Sequence, residues 1–233
     1  MDPAAISGIK KTAKACDFVR RELLEWIQPG QTTYQIDQKA IELIRKTGAI
    51  SAVLGRNNFS GHICICTNNQ VAHFSGSNNI ITEDDLIKID ISLRMGEWVA
   101  DCGASTYFGK NESIKRLIQT NREAVIETAS SLCSGLPLAD IIAVIDAQKD
   151  NFHYYDELTC HGTGPKLHSS PEITKHSKEK LRAGQILAIE AVFAERETSL
   201  EFKELEISST SLNAHHEETV LITGNGSEIL TSP

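Results

Sequence analysis

Apolar residues recur at helical spacing in the first part of the chain and then give way to short apolar runs. Residues 6–28 have apolar positions with a period near that of a helix, which predicts an amphipathic helix. The stretch QPGQTT ends it and offers Thr32 or Thr33 as the N-cap of a second helix over residues 34–46. Four apolar runs follow and are predicted to be strands: ISAVLG, HICICT, LIKIDISL and EWVADCG.

The same order of elements returns in the second half of the chain. Residues 111–134 and the segment ADIIAVIDAQKD are predicted helices, and the predicted strands are YYDELTC, QILAIEAVF and ETVLIT. The segment DLIKIDI at 85–91 is echoed by QILAIEA at 185–191, which suggests a duplicated unit. No low-complexity linker separates the halves. The sequence therefore predicts one α+β domain over residues 1–233, with pseudo-repeats at roughly 6–110 and 111–233.

A predicted hairpin carries one aspartate in each of its strands. Glycine tolerates the positive φ of a tight turn, and with Met95-Gly96 as the loop Asp90 would lie directly opposite Asp101. Opposed side chains are about 4.5–5.5 Å apart at Cβ, so two carboxylates there would repel each other. A shared proton, a divalent cation or exposure to solvent would each relieve the repulsion, and the hairpin alone leaves these alternatives open.

Further acidic residues lie in apolar strands of the second half. Glu190 takes the place of Asp90 in the proposed repeat and interrupts the run ILAIEAVF, whose two faces are both expected to be buried. Glu217 and Glu218 form an acidic pair at the start of the strand ETVLIT. Because buried carboxylates need compensation, these residues favour a cation site over a solvated surface.

Histidines follow predicted strands in both halves. His161 lies in CHGTG, before glycines that allow close approach of the backbone, and His168 comes seven residues later. His73 occupies the comparable strand end of the first half. The remaining five are interpreted as structural or surface histidines: His62, His153, His176, His215 and His216.

Composition and charge argue against some classes of partner and indicate the cellular compartment. The formal charge is −8 and no basic cluster stands out, which argues against nucleic acid and anionic membranes as partners. No apolar run is long enough for a membrane span, and the N-terminus lacks the apolar region of a secretory signal. The six cysteines are scattered and favour reduced thiols. We therefore expect a cytoplasmic protein and a monomer.

Taken in order, the quoted segments resemble one family. LIKIDI, DCG eleven residues later, HGTG, the IE of ILAIEAVF and the final ETVLIT are similar to the methionine aminopeptidases of the shorter bacterial type, within the pita-bread metallopeptidases. The segment AVLGRNNFSGHICICTNNQVAH is similar to the part of that family that precedes its first active-site histidine. The resemblance covers nearly the whole chain and implies a pita-bread fold, with two pseudo-symmetric halves around a curved antiparallel sheet.

The resemblance also implies a dinuclear metal centre with five ligands. Asp90 would chelate one metal, Asp101 and Glu217 would bridge both, and His161 and Glu190 would complete the other. All of these positions carry the residue type that the family has. Four carboxylates and one imidazole suit two divalent ions such as Mn, Co, Fe(II) or Zn.

The catalytic residues implied by the resemblance are Glu190, His168 and His73. A metal-bridging hydroxide would attack the peptide carbonyl, and Glu190 would shuttle its proton. His168 would donate to the developing oxyanion. His73 would hold the scissile amide nitrogen or the free amine of the substrate.

The substrate pocket departs from the family more than the metal ligands do. Phe59 and Cys64 fit the usual lining, whereas Arg56 and Leu167 each replace an aromatic residue. The family's pocket tryptophan is missing from the polar segment 195–216, where Phe202 is a candidate replacement. An apolar pocket would not tolerate an uncompensated arginine, so Arg56 is expected to reach solvent or to meet an acidic partner.

The resemblance implies removal of N-terminal methionine from peptides or nascent proteins. A related hydrolase acting on another N-terminal residue or on an Xaa-Pro bond is one alternative. Another is an enzyme that acts on a small amine or amide, with Arg56 binding a carboxylate. A non-catalytic binding module on the same fold is a further alternative. Loss of a ligand would favour that last alternative, and no ligand position is lost.

Overall fold

Four helices form where the apolar periodicity predicts them. The computed structural model describes residues 2–158 and 160–231. Within them the helices are α1 (Pro3–Trp26), α2 (Thr33–Thr47), α3 (Glu112–Ser131) and α4 (Leu138–Ala147). None of these helices is long and apolar enough to cross a membrane.

Local signals explain the bounds of α2. Thr32 is its N-cap and forms a capping box with Gln35, since the Thr32 hydroxyl accepts from the Gln35 N–H and the Gln35 side chain accepts from the Thr32 N–H. Gly48 ends the helix in a left-handed conformation with φ of 76°. The QPGQTT stretch therefore acts as predicted, and Thr32 rather than Thr33 is the cap.

Thirteen strands are present in the described residues. In chain order they are β1 (Ile50–Ser51), β2 (Cys64–Thr67), β3 (Gln70–Ala72), β4 (Leu86–Met95), β5 (Trp98–Tyr107), β6 (His153–Tyr154), β7 (His161–Gly162), β8 (Ser169–Glu172), β9 (Ile186–Ala194), β10 (Glu201–Lys203), β11 (Glu206–Ser208), β12 (Asn213–Ile222) and β13 (Ser227–Ile229). Ten of them form one antiparallel sheet in the order β1-β4-β5-β12-β9-β7-β8, with β2, β6 and β13 added on β4, β9 and β12. The others form a small sheet in the order β10-β11-β3.

Each central strand of the large sheet has two different faces. In β4, Ile87, Ile89 and Ile91 belong to the core under α1 and α2, whereas Lys88 and Asp90 point to a cavity on the other face. Part of β12 alternates in the same way, since Ala214 joins the core under α3 and α4 whereas His215 and Glu217 reach the cavity. Acidic residues can therefore interrupt these apolar runs, because only one face of each strand is packed by helices.

The two helix pairs cover the two ends of this sheet separately. Helix α1 packs on β4 and β5, and helix α3 packs on β9 and β12. Each pair has its own cluster of buried apolar side chains. This arrangement is compatible with the proposed repeat, and the division into pseudo-repeats over one domain stays a prediction.

The register predicted for the β4–β5 hairpin is wrong by one residue in each strand. Met95 pairs with Trp98, so the loop is Gly96-Glu97 rather than Met95-Gly96. Gly96 has φ of 58°, which suits the first loop position of a type II′ turn. Asp90 consequently pairs with Gly103, and Asp101 pairs with Ser92. The two aspartates are still on one face but lie diagonally, not directly opposite.

Two strand predictions fail where turns interrupt an apolar run. In ISAVLG only Ile50–Ser51 is a strand, because the Ser51 hydroxyl accepts from the backbone N–H groups of Val53 and Leu54 and closes a turn. In YYDELTC the chain turns after Tyr155, and β6 and β7 lie on either side. Thr159 of that segment lies outside the described residues.

The polar segment 195–216 contains an ordered hairpin. Strands β10 and β11 pair with each other, and β11 also pairs with β3 next to His73. Strand β12 begins at Asn213, so His215 and His216 belong to it, whereas the sequence placed its start at Glu218. Phe202 on β10 is 67% exposed and is no replacement for a buried pocket tryptophan.

A buried ion network ties α1 to the core side of β12. The Arg20 guanidinium donates to Glu218 Oε1 at 2.9 Å, to Asp17 Oδ1 at 3.0 Å and to the Glu217 carbonyl at 3.2 Å. It also donates to the Thr231 carbonyl. Because Glu218 points to the helices, its neighbour Glu217 must point to the cavity. Arg20 therefore fixes the strand that carries a predicted metal ligand.

We expect Arg20→Ala to lower the free energy of unfolding by about 3–5 kcal/mol, because it removes the guanidinium that pairs with both Glu218 and Asp17 in the buried network. Arg21→Ala is the matched control, since Arg21 also pairs with Asp17 but is exposed and should cost less than about 1 kcal/mol. Urea titrations of both variants in chelator measure the difference. Equal losses in the two variants would contradict a structural role for the buried network.

Candidate metal centre

One row of paired residues crosses the cavity face of the large sheet. The register places Cys64 beside Asp90, Asp90 beside Gly103, Gly103 beside Glu217 and Glu217 beside Glu190. Their side chains share one face because directly paired residues of antiparallel strands point the same way. Three predicted ligands, from three different strands, thus lie in one line.

The next row along the sheet brings in the other two predicted ligands. Asp101 is two residues from Gly103 on β5, and His161 on β7 pairs with Ala188 of β9. Ligand atoms of Asp101, His161 and Glu217 all lie within 4.8 Å of one another. The structure therefore brings together the predicted ligands that were separated by over a hundred residues.

Burial and mutual repulsion dominate the electrostatics of this cluster. Burial, together with the charges of Asp90 and Glu190, raises the pKa of Asp101 well above its usual range. Burial and the charges of Asp101, Glu190 and Asp90 do the same to the pKa of Glu217. Asp90 Oδ1 is buried and accepts no hydrogen bond from the part of the chain that the structure describes. Such a group of carboxylates is stabilised when cations lie between them.

His161 is oriented for metal binding. Its Nδ1 lies 3.0 Å from the Gly162 carbonyl oxygen and must donate to it, so the neutral ring has its lone pair on Nε2. Nε2 lies 3.6 Å from Glu190 Oε1. A backbone acceptor for the second ring nitrogen is the usual partner of a metal-binding histidine.

Glu190 lies between two imidazoles. His161 is on one side, and His215 Nε2 is 3.4 Å from Glu190 Oε2 on the other. Burial acts to raise the pKa of Glu190, but the neighbouring imidazoles of His215 and His161 outweigh it and lower this pKa. The Cys160 thiol contacts the Glu190 backbone, which holds the strand against β7.

The cluster forms the floor of a cavity of about 860 Å³, which His73 and His168 also line. His73 has a left-handed backbone with φ of 63°, and its Nδ1 donates to the Leu205 carbonyl at 3.0 Å. His168 Nδ1 accepts from the Arg56 guanidinium at 2.9 Å, which leaves its proton on Nε2. The His168 ring packs edge-on against His161 with centroids 4.3 Å apart. Burial, followed by the charges of His161 and Arg56, lowers the pKa of His168 to about 4.

Of the four predicted substrate-pocket residues, one lines the cavity. Cys64 lines the cavity. Phe59 and Leu167 are both buried, but neither is among the residues that line it. Arg56 is exposed in a single 3₁₀ turn, Arg56–Asn58, and reaches the cavity only through His168. Arg56 thus has the solvent access that the sequence led us to expect.

Sequence reasoning missed two ionisable residues of the cavity wall. His215 was treated as a structural or surface residue, yet its place two residues before Glu217 puts it on the same face of β12. Lys88 precedes Asp90 by two residues and lies on the same face of β4. Each of the two lies two residues before a predicted ligand, and this spacing is the sequence signal that identifies both.

Lys88 is a buried cation held by backbone groups. Its ammonium donates to the carbonyls of Asn68 at 2.8 Å and Asn213 at 3.0 Å. Burial lowers its pKa to about 7. The contacts connect the turn after β2 to the start of β12 and leave one ammonium N–H for another acceptor.

The donor set fits divalent metal ions. Four carboxylates and one histidine with a free Nε2 converge, and an oxygen-rich set with one imidazole suits Mn, Fe(II), Co or Zn. Without a cation, the raised pKa values of Asp101 and Glu217 favour protonation, which relieves part of the repulsion among the carboxylates.

Comparisons with known proteins agree with this geometry. The chain is 30% identical over 239 residues to a methionine aminopeptidase of Staphylococcus epidermidis, with 97% of this chain and 95% of the relative covered. The fold superposes on a methionine aminopeptidase structure from Thermotoga maritima with a TM-score of 0.95 at 26% identity, covering 100% of this chain and 98% of the other. A prolidase from Pyrococcus furiosus has the same fold, with a TM-score of 0.79 at 20% identity over 100% of this chain and 65% of the other.

These likenesses confirm the pita-bread fold that the resemblance implied. The model of metallopeptidase family M24 matches residues 7–224, which is nearly the whole chain. The chain therefore belongs to metallopeptidase family M24.

Proposed function

We propose that this protein is a methionine aminopeptidase that removes the N-terminal methionine of peptides or nascent proteins. The observation that carries the proposal is the convergence of carboxylates and a metal-ready histidine on the floor of an open cavity. The full-length likeness to methionine aminopeptidases supports the same activity.

Two divalent metal ions, Mn, Co, Fe(II) or Zn, would be held by five side chains: Asp90, Asp101, His161, Glu190 and Glu217. When bound, such ions supply the Lewis acidity that two-metal hydrolases use. The backbone around the site keeps the ligands in place. The Ser92 hydroxyl donates to Asp101 Oδ1 at 2.8 Å, and the Thr219 hydroxyl accepts from the Asp101 N–H at 2.9 Å.

Three residues are proposed to act on the substrate. The Glu190 carboxylate would accept a proton from the attacking water and return it to the leaving amine. His168 carries its proton on Nε2, so it would donate a hydrogen bond to the oxyanion that develops. His73 has its Nδ1 proton engaged by Leu205, so Nε2 is free to accept from the substrate's amide or amine N–H.

A second candidate is a related hydrolase with a different substrate preference. Two basic side chains favour it: Arg56, which contacts His168, and Lys88, which lines the cavity. Both could bind a carboxylate of the substrate, whereas a thioether offers them only a weak acceptor. This candidate shares the metal centre and differs only in the residue that is released.

We further propose that the protein acts as a monomer in the cytoplasm. All six cysteines are free, and five of them are buried. Free thiols of this kind are typical of a reducing compartment.

Metal removal provides the first experiment. We expect EDTA to abolish cleavage of a methionine-initiated peptide and added Mn²⁺ or Co²⁺ to restore it. Saturating metal should also raise the free energy of unfolding, by about 2.7 kcal/mol per site at a hundredfold excess over Kd. Peptide assays and thermal scans in chelator and in metal give both values. Activity that survives chelation would contradict the metal assignment.

Asp101→Asn tests whether Asp101 is needed for metal-dependent activity rather than for folding. We expect cleavage to fall by more than about 100-fold, beyond the usual effect of changing a residue that only orients a ligand. In chelator the variant should be at least as stable as the wild type at pH 7, because it removes one of several repelling carboxylates. Asp146→Asn, an exposed carboxylate on α4, is the control and should retain activity. A fully active Asp101→Asn enzyme would remove Asp101 from the centre.

Substrate profiling distinguishes the two candidate functions. In a series of Xaa-Ala-Ser peptides we expect Met-Ala-Ser to have the highest kcat/KM. If the cavity cations select the substrate instead, Glu-Ala-Ser or Asp-Ala-Ser will be cleaved fastest, and Arg56→Ala will reduce that preference. Comparable rates for methionine and unrelated residues would contradict the methionine assignment.

A further inference from the structure

We propose that His215 is an additional nitrogen ligand of the metal centre, a role that rests on the metal site of the proposed function. The five ligands assigned above include one imidazole. His215 is buried, lines the same cavity and points its Nε2 toward Glu190 and Glu217. Nε2 is 3.4 Å from Glu190 Oε2 and 4.0 Å from Glu217 Oε2, and the three groups have ligand atoms within 4.8 Å of one another.

The ring nitrogen that faces the carboxylates has no hydrogen-bond partner among the described residues. His215 Nε2 is fully buried, and the two nearest carboxylate oxygens are at ion-pair distance but outside hydrogen-bond geometry. A buried polar atom that makes no hydrogen bond costs about 1–3 kcal/mol unless another interaction compensates it. A cation between Nε2, Glu190 and Glu217 would compensate the nitrogen and both carboxylates at once.

The sheet is built to make room for this ring. A Cβ on Gly103 would lie 2.5 Å from His215 Cε1 and 2.7 Å from Nδ1, so any side chain at position 103 would displace the imidazole. Gly103 stands between Asp90 and Glu217 in the row of paired residues. Gly103 has no side chain of its own in that row, and the His215 ring from the neighbouring strand β12 fills the space.

The backbone of His215 is also held in place. Its N–H donates to the Ser105 hydroxyl at 2.9 Å, and that hydroxyl donates to the His215 carbonyl at 2.8 Å. Because alternate residues of a strand point to opposite faces, this anchor directs His215 to the cavity. The next residue, His216, points to the helices and contacts Glu218 at 3.0 Å.

A second imidazole changes which metals the centre prefers. Carboxylates suit Mn²⁺, whereas imidazole nitrogen suits Zn²⁺, Fe²⁺ and Co²⁺. With His161 and His215 on the two sides of Glu190, the metal centre as a whole would have two nitrogen donors. Loss of His215 should therefore weaken Co²⁺ and Zn²⁺ more than Mn²⁺.

The test compares His215→Leu with the wild-type protein and with His216→Gln, a change at the adjacent and equally buried histidine that faces the helices. Competitive titration with Co²⁺ and Zn²⁺ should show about 10- to 100-fold weaker binding in His215→Leu, the range known for lost support around a metal. His216→Gln should bind as the wild type does. Circular dichroism of each variant establishes that it is folded.

Spectroscopy of the bound ion gives a readout independent of activity. In the Mn²⁺-loaded wild type, pulsed electron spin resonance should detect nitrogen couplings from two imidazoles, and His215→Leu should retain those of one. His215→Gln keeps a polar side chain and should also lose the second set, which provides the test if the leucine variant fails to fold. Unchanged Co²⁺ affinity together with unchanged nitrogen couplings would overturn the proposal.

These outcomes are separable from those of the proposed function. A wild-type protein that shows two imidazole couplings but cleaves no methionine peptide would leave the His215 assignment standing and remove the aminopeptidase assignment. A wild-type protein that cleaves Met-Ala-Ser but shows the coupling of one imidazole would support the aminopeptidase assignment and remove the His215 assignment.

Discussion

The repulsion among buried carboxylates is the constraint on which the rest of this structure depends. Asp90, Asp101, Glu190 and Glu217 converge from four strands, and burial together with their mutual charge raises the pKa of Asp101 and Glu217. A sheet that positions these groups without a cation keeps an unfavourable energy in its centre. Divalent ions would relieve this repulsion on binding, and the relief would add to their affinity. Because the ligands are already in position, binding also loses little conformational entropy.

The packing behind the sheet keeps the carboxylates from relaxing apart. Strand β12 is buried on both faces along its whole length, with Glu217 on the cavity side and Glu218 on the helix side. Arg20 and Thr231 hold Glu218, and Thr219 holds the backbone of Asp101. A shift of β12 by one residue would exchange its two faces and break both sets of contacts. The ion network on the helix side and the acidic cluster on the cavity side therefore specify the same register.

Much of this architecture could be predicted from sequence because it depends on local signals. Apolar periodicity and the Thr32 cap gave the long helices, and the apolar runs around Asp90 and Glu190 gave the central strands. The hairpin register could not be derived in this way, since a loop of Met95-Gly96 and one of Gly96-Glu97 use the same glycine. The short strand β7 forms by pairing with β9, and β8 forms by pairing with β7, so no local apolar pattern indicates either strand. The spacing of His215 from Glu217 is visible in the sequence, whereas the space that Gly103 leaves for its ring on another strand is not.

The hairpin of β10 and β11 contacts His73, and it is separate from the strands that carry the proposed metal ligands. The hairpin holds the His73 ring through a main-chain carbonyl, that of Leu205, so side chains of the hairpin can change while this hydrogen bond persists. The proposed metal ligands come from other strands, and Arg20 braces the strand that carries Glu217 from the opposite face of the sheet. In the proposed enzyme, substitutions in the hairpin side chains would consequently be able to change substrate choice without disturbing the proposed metal ligands beneath it.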